Sequence, residues 1–137
     1  MTDKLRILIY IIDDCQSDID LMLMYLKSDT YDIHTFTDPD KFKEALNDDV
    51  SMVITDIKMH NYDVYETVAQ IRVDYPGIYI IAISGYLSKE IYEKLMDCHV
   101  WNAVEKNTTD WLDKLKLKVE LTVPKMLQKK MALSHDY

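Results

Sequence analysis

Two aspartates, Asp13 and Asp14, stand side by side directly after an unbroken apolar run, ILIYII at Ile7–Ile12. Like charges that close repel, and at the end of a buried segment they need a counter-cation or water. A third acid, Asp56, follows the apolar stretch SMVIT, Ser84 ends IYIIAIS, and Lys106 ends WNAVEK. If these segments lie side by side, three carboxylates, a hydroxyl and an ammonium face one crevice. Three acids so placed repel one another strongly unless a hard divalent cation sits among them. Mg²⁺ suits the set: it takes oxygen ligands, keeps several waters and often binds a phosphate oxygen. Ser84 and Lys106 would then supply donors for phosphoryl oxygens on the far side. The chemistry indicated is metal-assisted handling of a phosphoryl group.

Such a crevice needs elements to build it. Strand-length apolar runs recur at residues 5–12, 31–36, 51–55, 78–83 and 100–104. Several are continuous rather than alternating, which marks strands buried on both faces and hence a parallel sheet. The segments between read as helices. SDIDLMLMYLKS gathers Ile19, Met22, Leu23 and Leu26 on one face. DPDKFKEALN opens with Asp38 as N-cap and Pro39 at the first helical position. YETVAQIRVDY stops before Pro76 and Gly77. SKEIYEKLMDC brings Ile91, Leu95 and Met96 together. Thr108 or Thr109 can cap a last helix with Trp111, Leu112, Leu115 and Val119 inward. Five strands alternating with five helices give an α/β fold with helices on both faces of a parallel sheet. In such folds function gathers beyond the carboxyl ends of the strands, where the five singled-out residues fall.

Composition narrows the class. The chain has 137 residues, one ordinary domain, and 48% of them are apolar, enough for a real core. Its net charge of −8 argues against nucleic acid as a partner. The lysines gather late: from Glu105 on there are seven against five acids, which reads as a solvated helix face. Cys15 and Cys98 suggest neither a disulfide framework nor a metal knuckle. No apolar run approaches the roughly 20 residues of a membrane span, and no signal peptide is visible, so a cytoplasmic location is the default expectation. His34, His60, His99 and His135 are scattered and read as neither ligands nor bases. The eight methionines read as core filler.

The set Asp13–Asp14, Asp56, Ser84 and Lys106, one position per strand end in this order, resembles the receiver domain of bacterial two-component response regulators, the CheY-like fold. The resemblance covers residues 5 to about 120 and rests on the conjunction, since no single position is specific. It implies a doubly wound, flavodoxin-like five-stranded sheet of strand order 2-1-3-4-5. It implies that Asp56 accepts a phosphoryl group from a sensor histidine kinase or phosphotransfer protein and is later hydrolysed. By the same resemblance, Asp13, Asp14, Asp56 and the backbone carbonyl of Lys58 hold Mg²⁺. Ser84 is then the switch hydroxyl and Lys106 the pairing lysine. Such a protein is a phospho-acceptor rather than a turnover enzyme, and it switches contacts with a downstream protein.

Four positions depart from the family pattern. Asn107 follows Lys106 where proline is usual, so a trans bond is expected there. The loop after Asp56 has His60 and Val64 where Pro and Gly are usual, so positive φ is unexpected in it. Ala103 stands where the switch aromatic lies, and Trp101 should face elsewhere. Lys58 and Tyr86 occupy sites that tune hydrolysis in the family, which predicts an altered lifetime of the phosphorylated state.

Two other readings compete. The fold could serve as an interaction or dimerisation module independent of phosphorylation. A phosphatase with an aspartyl nucleophile and Mg²⁺ would carry a second acid two residues on, but Asp56 is followed by Ile57 and Lys58. Asp56 alone would also make a good helix N-cap. The expected division is a receiver domain over 1–122 and an extension over 123–137. Pro124 should break or kink the last helix near Val123, leaving PKMLQKKMAL as a second short helix, a linker, a dimer contact or a partner-binding tip. If the 137 residues were the whole protein, output would have to be a protein–protein contact.

Overall fold

The computed structural model describes residues 5–134; His135 and the end of the expected extension lie outside them. In chain order the elements are β1 (Ile7–Ile12), α1 (Gln16–Leu26), β2 (Tyr31–Phe36), α2 (Pro39–Ala45), β3 (Val50–Asp56), β4 (Lys58–Met59), β5 (Tyr62–Asp63), α3 (Val64–Asp74), β6 (Tyr79–Ser84), α4 (Lys89–Asp97), β7 (Asn102–Glu105) and α5 (Trp111–Ser134). Five strands form one sheet in the order β2-β1-β3-β6-β7, and every neighbouring pair in it is parallel. This is the expected order. The numbers differ only because β4 and β5 form a separate antiparallel pair.

The continuous apolar runs are explained by two cores. Successive side chains of a strand point to opposite faces. Ile7, Ile9, Ile11, Met52, Ile54, Ile81 and Ile83 pack on one face with α1 and α5 residues such as Ile19, Met22, Leu115 and Val119. Tyr10, Ile12, Val53, Ile80 and Ala82 pack on the other with Phe42, Val64, Val68, Ile71 and Leu95. The methionines divide: Met22, Met52 and Met126 are buried, whereas Met24 is 73% exposed.

Caps set the helix starts. The Asp38 side chain accepts from the Asp40 N–H, with Pro39 at the helix start as expected. Asp63 accepts from Tyr65 and Glu66, and Ser88 accepts from Ile91. Thr108 behaves differently. Its hydroxyl donates to the Glu105 carbonyl, while its own carbonyl accepts from the Trp111 N–H.

The last strand begins two residues later than its apolar pattern indicated. Val100 N–H still bonds the Leu95 carbonyl, and His99 turns the chain with φ of 65°, so residues 98–100 close α4, and Trp101 N–H, bonded to the Ile80 carbonyl at 2.8 Å, leads into β7.

The expected break at Pro124 does not occur: α5 is one 24-residue helix with the proline inside it. A proline removes a helical N–H and crowds the preceding turn, so packing must hold the two halves together. Met126 is buried, and Val123 and Leu127 pack on the same core. Lys129 Nζ donates to the Gly77 carbonyl at 2.8 Å and stands over the Tyr79 ring. These contacts dock the segment after Pro124 against the sheet's N-terminal edge. Among the described residues no helix is long and apolar enough to cross a membrane.

Candidate functional site

The crevice is built by adjacent strand ends. β1 lies beside β3, with Ile12 opposite Thr55, and β3 beside β6, with Asp56 opposite Ile83. β6 pairs with β7, with Ser84 opposite Glu105. The ladder continues past the strands: Asp13 N–H bonds the Phe36 carbonyl, Ile57 N–H the Ile83 carbonyl, and Lys106 N–H the Ser84 carbonyl at 2.6 Å. Residues remote in sequence are thereby fixed in register at one edge.

Asp13, Asp14 and Asp56 each bring a carboxylate oxygen to within 4.8 Å of the others. Asp13 and Asp56 are buried and Asp14 is exposed, so the trio opens to solvent on one side. Asp56 does not cap a helix; Ile57 and the β4–β5 hairpin follow it. The Lys106 ammonium lies 2.9 Å from Asp13 Oδ2, 2.9 Å from Asp18 Oδ2 and 3.9 Å from Asp56 Oδ2. Among the described residues it is the one cation in ion-pair reach of these acids.

Burial pushes the Asp56 carboxyl up to about 6; Lys106 and the Lys58 N–H pull it down, and Asp13 and Asp14 push it up. Burial alone would lower the Lys106 ammonium, but its hydrogen bonds to Asp18 and Asp13 and the Asp56 charge hold it above its ordinary value. One ammonium against Asp13, Asp14, Asp18 and Asp56 leaves the crevice short of positive charge. The donors are all hard carboxylate oxygens and one edge is wet. That combination fits a hydrated Mg²⁺ ion.

The remaining expected residues fall as follows. Ser84 stands at the crevice edge, but its hydroxyl donates to the Tyr86 carbonyl at 2.8 Å and accepts from the Tyr86 N–H. It is held in a turn by these two bonds. Lys58 contributes its N–H, 3.4 Å from Asp56 Oδ1. The Lys106–Asn107 peptide is trans, and Lys106 enters the crevice without a following proline. Ala103 is buried in the core, and Trp101 faces α5, donating from Nε1 to Thr122 Oγ1.

One expectation fails. The loop after Asp56 does adopt positive φ, at Asn61 (55°). Asparagine tolerates that region better than other residues bearing a Cβ. The turn lets β4 pair with β5, and Tyr62 shares a 2.7 Å hydroxyl–hydroxyl bond with Thr55 that pins the hairpin to β3.

Two residues at the site escaped the sequence reading. Asp18, in the first turn of α1, holds Lys106. Glu105 accepts from the Leu87 N–H at 2.7 Å. Asp18's only sequence signal is an acid in a first helical turn, which the helix dipole favours anyway. Glu105's is an acid beside a lysine. Neither distinguishes a site residue from a solvated one.

The geometry defines an α/β domain of doubly wound, flavodoxin-like build, with an acid-lined crevice at its strand ends and one lysine reaching in. Residues 9–119 match the family model of the response regulator receiver domain, and the chain belongs to that family. Response regulators of this kind act in two-component signal transduction, and receiver domains are in general phospho-acceptors rather than turnover enzymes.

Solved structures share the fold at low identity. The signal receiver domain of a proposed LuxO repressor protein from Vibrio parahaemolyticus is 19% identical, with a TM-score of 0.81 over 93% of this chain and 98% of that one. A CheY-like receiver protein from Methanospirillum hungatei JF-1 is 18% identical, with a TM-score of 0.77 over 90% and 98%. The response regulator DrrB of Thermotoga maritima, an OmpR/PhoB homologue, is 18% identical with a TM-score of 0.78. The match covers 88% of this chain but only 54% of DrrB, so this chain spans about half of that protein's length. No curated protein matches the sequence.

Proposed function

We propose that this receiver domain takes a phosphoryl group onto Asp56 from a phosphohistidine of a sensor kinase or phosphotransfer protein, in a Mg²⁺-dependent step, and that the modified state changes its contacts with a downstream protein. The observation that carries the reading is the convergence of Asp13, Asp14 and Asp56 within 4.8 Å, with the Lys106 ammonium 3.9 Å from Asp56.

Asp56 is the nucleophile: a carboxylate oxygen attacks phosphorus and the imidazole leaves. With its carboxyl at about 6 it is mostly ionised at neutral pH. Lys106 stands where it can donate to phosphoryl oxygens as charge develops. Asp13, Asp14, Asp56 and the Lys58 carbonyl would hold Mg²⁺, which when bound offsets the charge between the incoming phosphoryl group and the acids. Ser84 would have to give up its Tyr86 bonds to reach a phosphoryl oxygen, and that exchange would move the β6–α4 loop. The loop is then the route from chemistry to an altered protein surface. A cytoplasmic setting suits a kinase partner of this kind.

Incubation with acetyl phosphate and MgCl₂, followed by intact mass measurement, tests the proposal. The expected result is a single phosphoryl adduct that disappears in Asp56→Asn and in the presence of EDTA. An adduct of equal yield in Asp56→Asn contradicts it.

A further inference from the structure

We propose that Asp18 is a positioning residue that competes with the phosphoryl group for Lys106, and so sets how readily the crevice takes an anion. This rests on the reading of Asp56 as acceptor.

The ammonium of Lys106 has three N–H donors. Two are spent at 2.9 Å, on Asp13 Oδ2 and Asp18 Oδ2. The distance to Asp56, 3.9 Å, is too long for a hydrogen bond. Asp13 is fixed: it is fully buried, and its other oxygen accepts from the Cys15 N–H at 2.9 Å. Asp18 is not required to balance a buried charge, since its side chain is 28% exposed and water could solvate it. Its place on the first turn of α1 draws the ammonium to the α1 side of the crevice, and its charge adds to the field that an arriving phosphoryl group must overcome.

Each element packed on the crevice contributes. Asp13 and Asp14 follow β1, Asp56 ends β3, Ser84 ends β6 and Lys106 follows β7. Asp18 alone comes from a helix and belongs to neither the carboxylate trio nor the phosphoryl donors. Removing its charge loosens the hold on the ammonium from the α1 side, so that Lys106 can turn toward the phosphoryl group, and makes the crevice less anionic. The two consequences have opposite signs for the two ligands. A phosphoryl mimic should bind more tightly and Mg²⁺ more weakly.

The experiment measures trifluoroberyllate affinity at saturating MgCl₂, and Mg²⁺ affinity alone, for the wild type, Asp18→Asn, Asp18→Ala and Asp18→Glu, with Asp56→Asn as control. Asp18→Asn and Asp18→Ala should bind trifluoroberyllate roughly three- to tenfold more tightly and Mg²⁺ more weakly by a similar factor, while Asp18→Glu returns toward wild type. A merely structural role would weaken both ligands together, and that outcome overturns the proposal. So does unchanged trifluoroberyllate affinity in Asp18→Asn while the wild type binds and Asp56→Asn does not; the acceptor reading then stands without it. Binding by Asp56→Asn equal to the wild type overturns the acceptor reading itself, and this proposal with it.

Discussion

The Glu105 carboxylate accepts a 2.7 Å hydrogen bond from the Leu87 backbone N–H, tying the β6–α4 loop to the end of β7 one residue before Lys106. The same loop holds Ser84 in its turn with Tyr86. With Ala103 buried in the core, this carboxylate is a side-chain link between the loop and β7, beside the backbone bond from Lys106 N–H to the Ser84 carbonyl. Glu105→Ala should lose about 1–2 kcal/mol of stability in urea denaturation and speed hydrogen exchange at Leu87. Glu105→Gln, which keeps an acceptor, should lose less. Unchanged exchange in Glu105→Ala would show that the loop does not depend on the bond.

Asp56 makes stability depend on pH. Its folded-state carboxyl sits at about 6, against an ordinary 3.8, chiefly through burial. The folded state therefore holds the proton more tightly than the unfolded chain. Below 3.8 both states are protonated and there is no penalty. The penalty grows from there to about 6 and is complete above it. Asp56→Asn removes it, so in metal-free buffer the variant should exceed wild type by about 3 kcal/mol near pH 7 and by little near pH 4. MgCl₂ should narrow the gap at pH 7. Denaturation of both proteins across this range checks it, and a gap that widens toward acid contradicts it.

Lys106→Met leaves the buried Asp13 carboxylate without its partner. Loss of one member of a buried pair costs about 3–5 kcal/mol. The metal-free variant should be destabilised by that order, MgCl₂ should restore part of the loss, and phosphoryl uptake should fall even at saturating Mg²⁺. Urea curves with and without MgCl₂ read the first two effects and intact mass the third. Wild-type stability without metal would contradict the pairing.

Pro124 lies inside α5. Pro124→Ala restores a helical N–H and removes the crowding of the preceding turn, so it should raise stability by about 1–3 kcal/mol. A loss of stability would mean that α5 does not continue through this position.

The architecture and the crevice could be read from the sequence because the physics there is repetitive. Continuous apolar runs such as IYIIAI can be buried on both faces only in a covered parallel sheet, and polar residues that abruptly end such runs mark its rim. Local signals with one dominant cause, Asp38 followed by Pro39, were equally readable. What escaped depends on tertiary context. Pro124 carries a strong local penalty, but Met126 and Lys129 dock beyond it. The loop after Asp56 lacks glycine and so gives no signal of positive φ, yet Asn61 adopts it in the β4–β5 turn. Asp18 and Glu105 look like surface acids until the fold brings Lys106 and Leu87 to them.

The most direct test of the account is to trap the phosphoryl group where it forms. Borohydride reduces an acyl phosphate to an alcohol, so protein treated with acetyl phosphate and MgCl₂, then reduced and mapped by peptide mass, should carry the reduced side chain at residue 56 and nowhere else. The signal should vanish when EDTA replaces MgCl₂. Reduction at another aspartate, or none at residue 56 despite saturating Mg²⁺, would contradict the central claim.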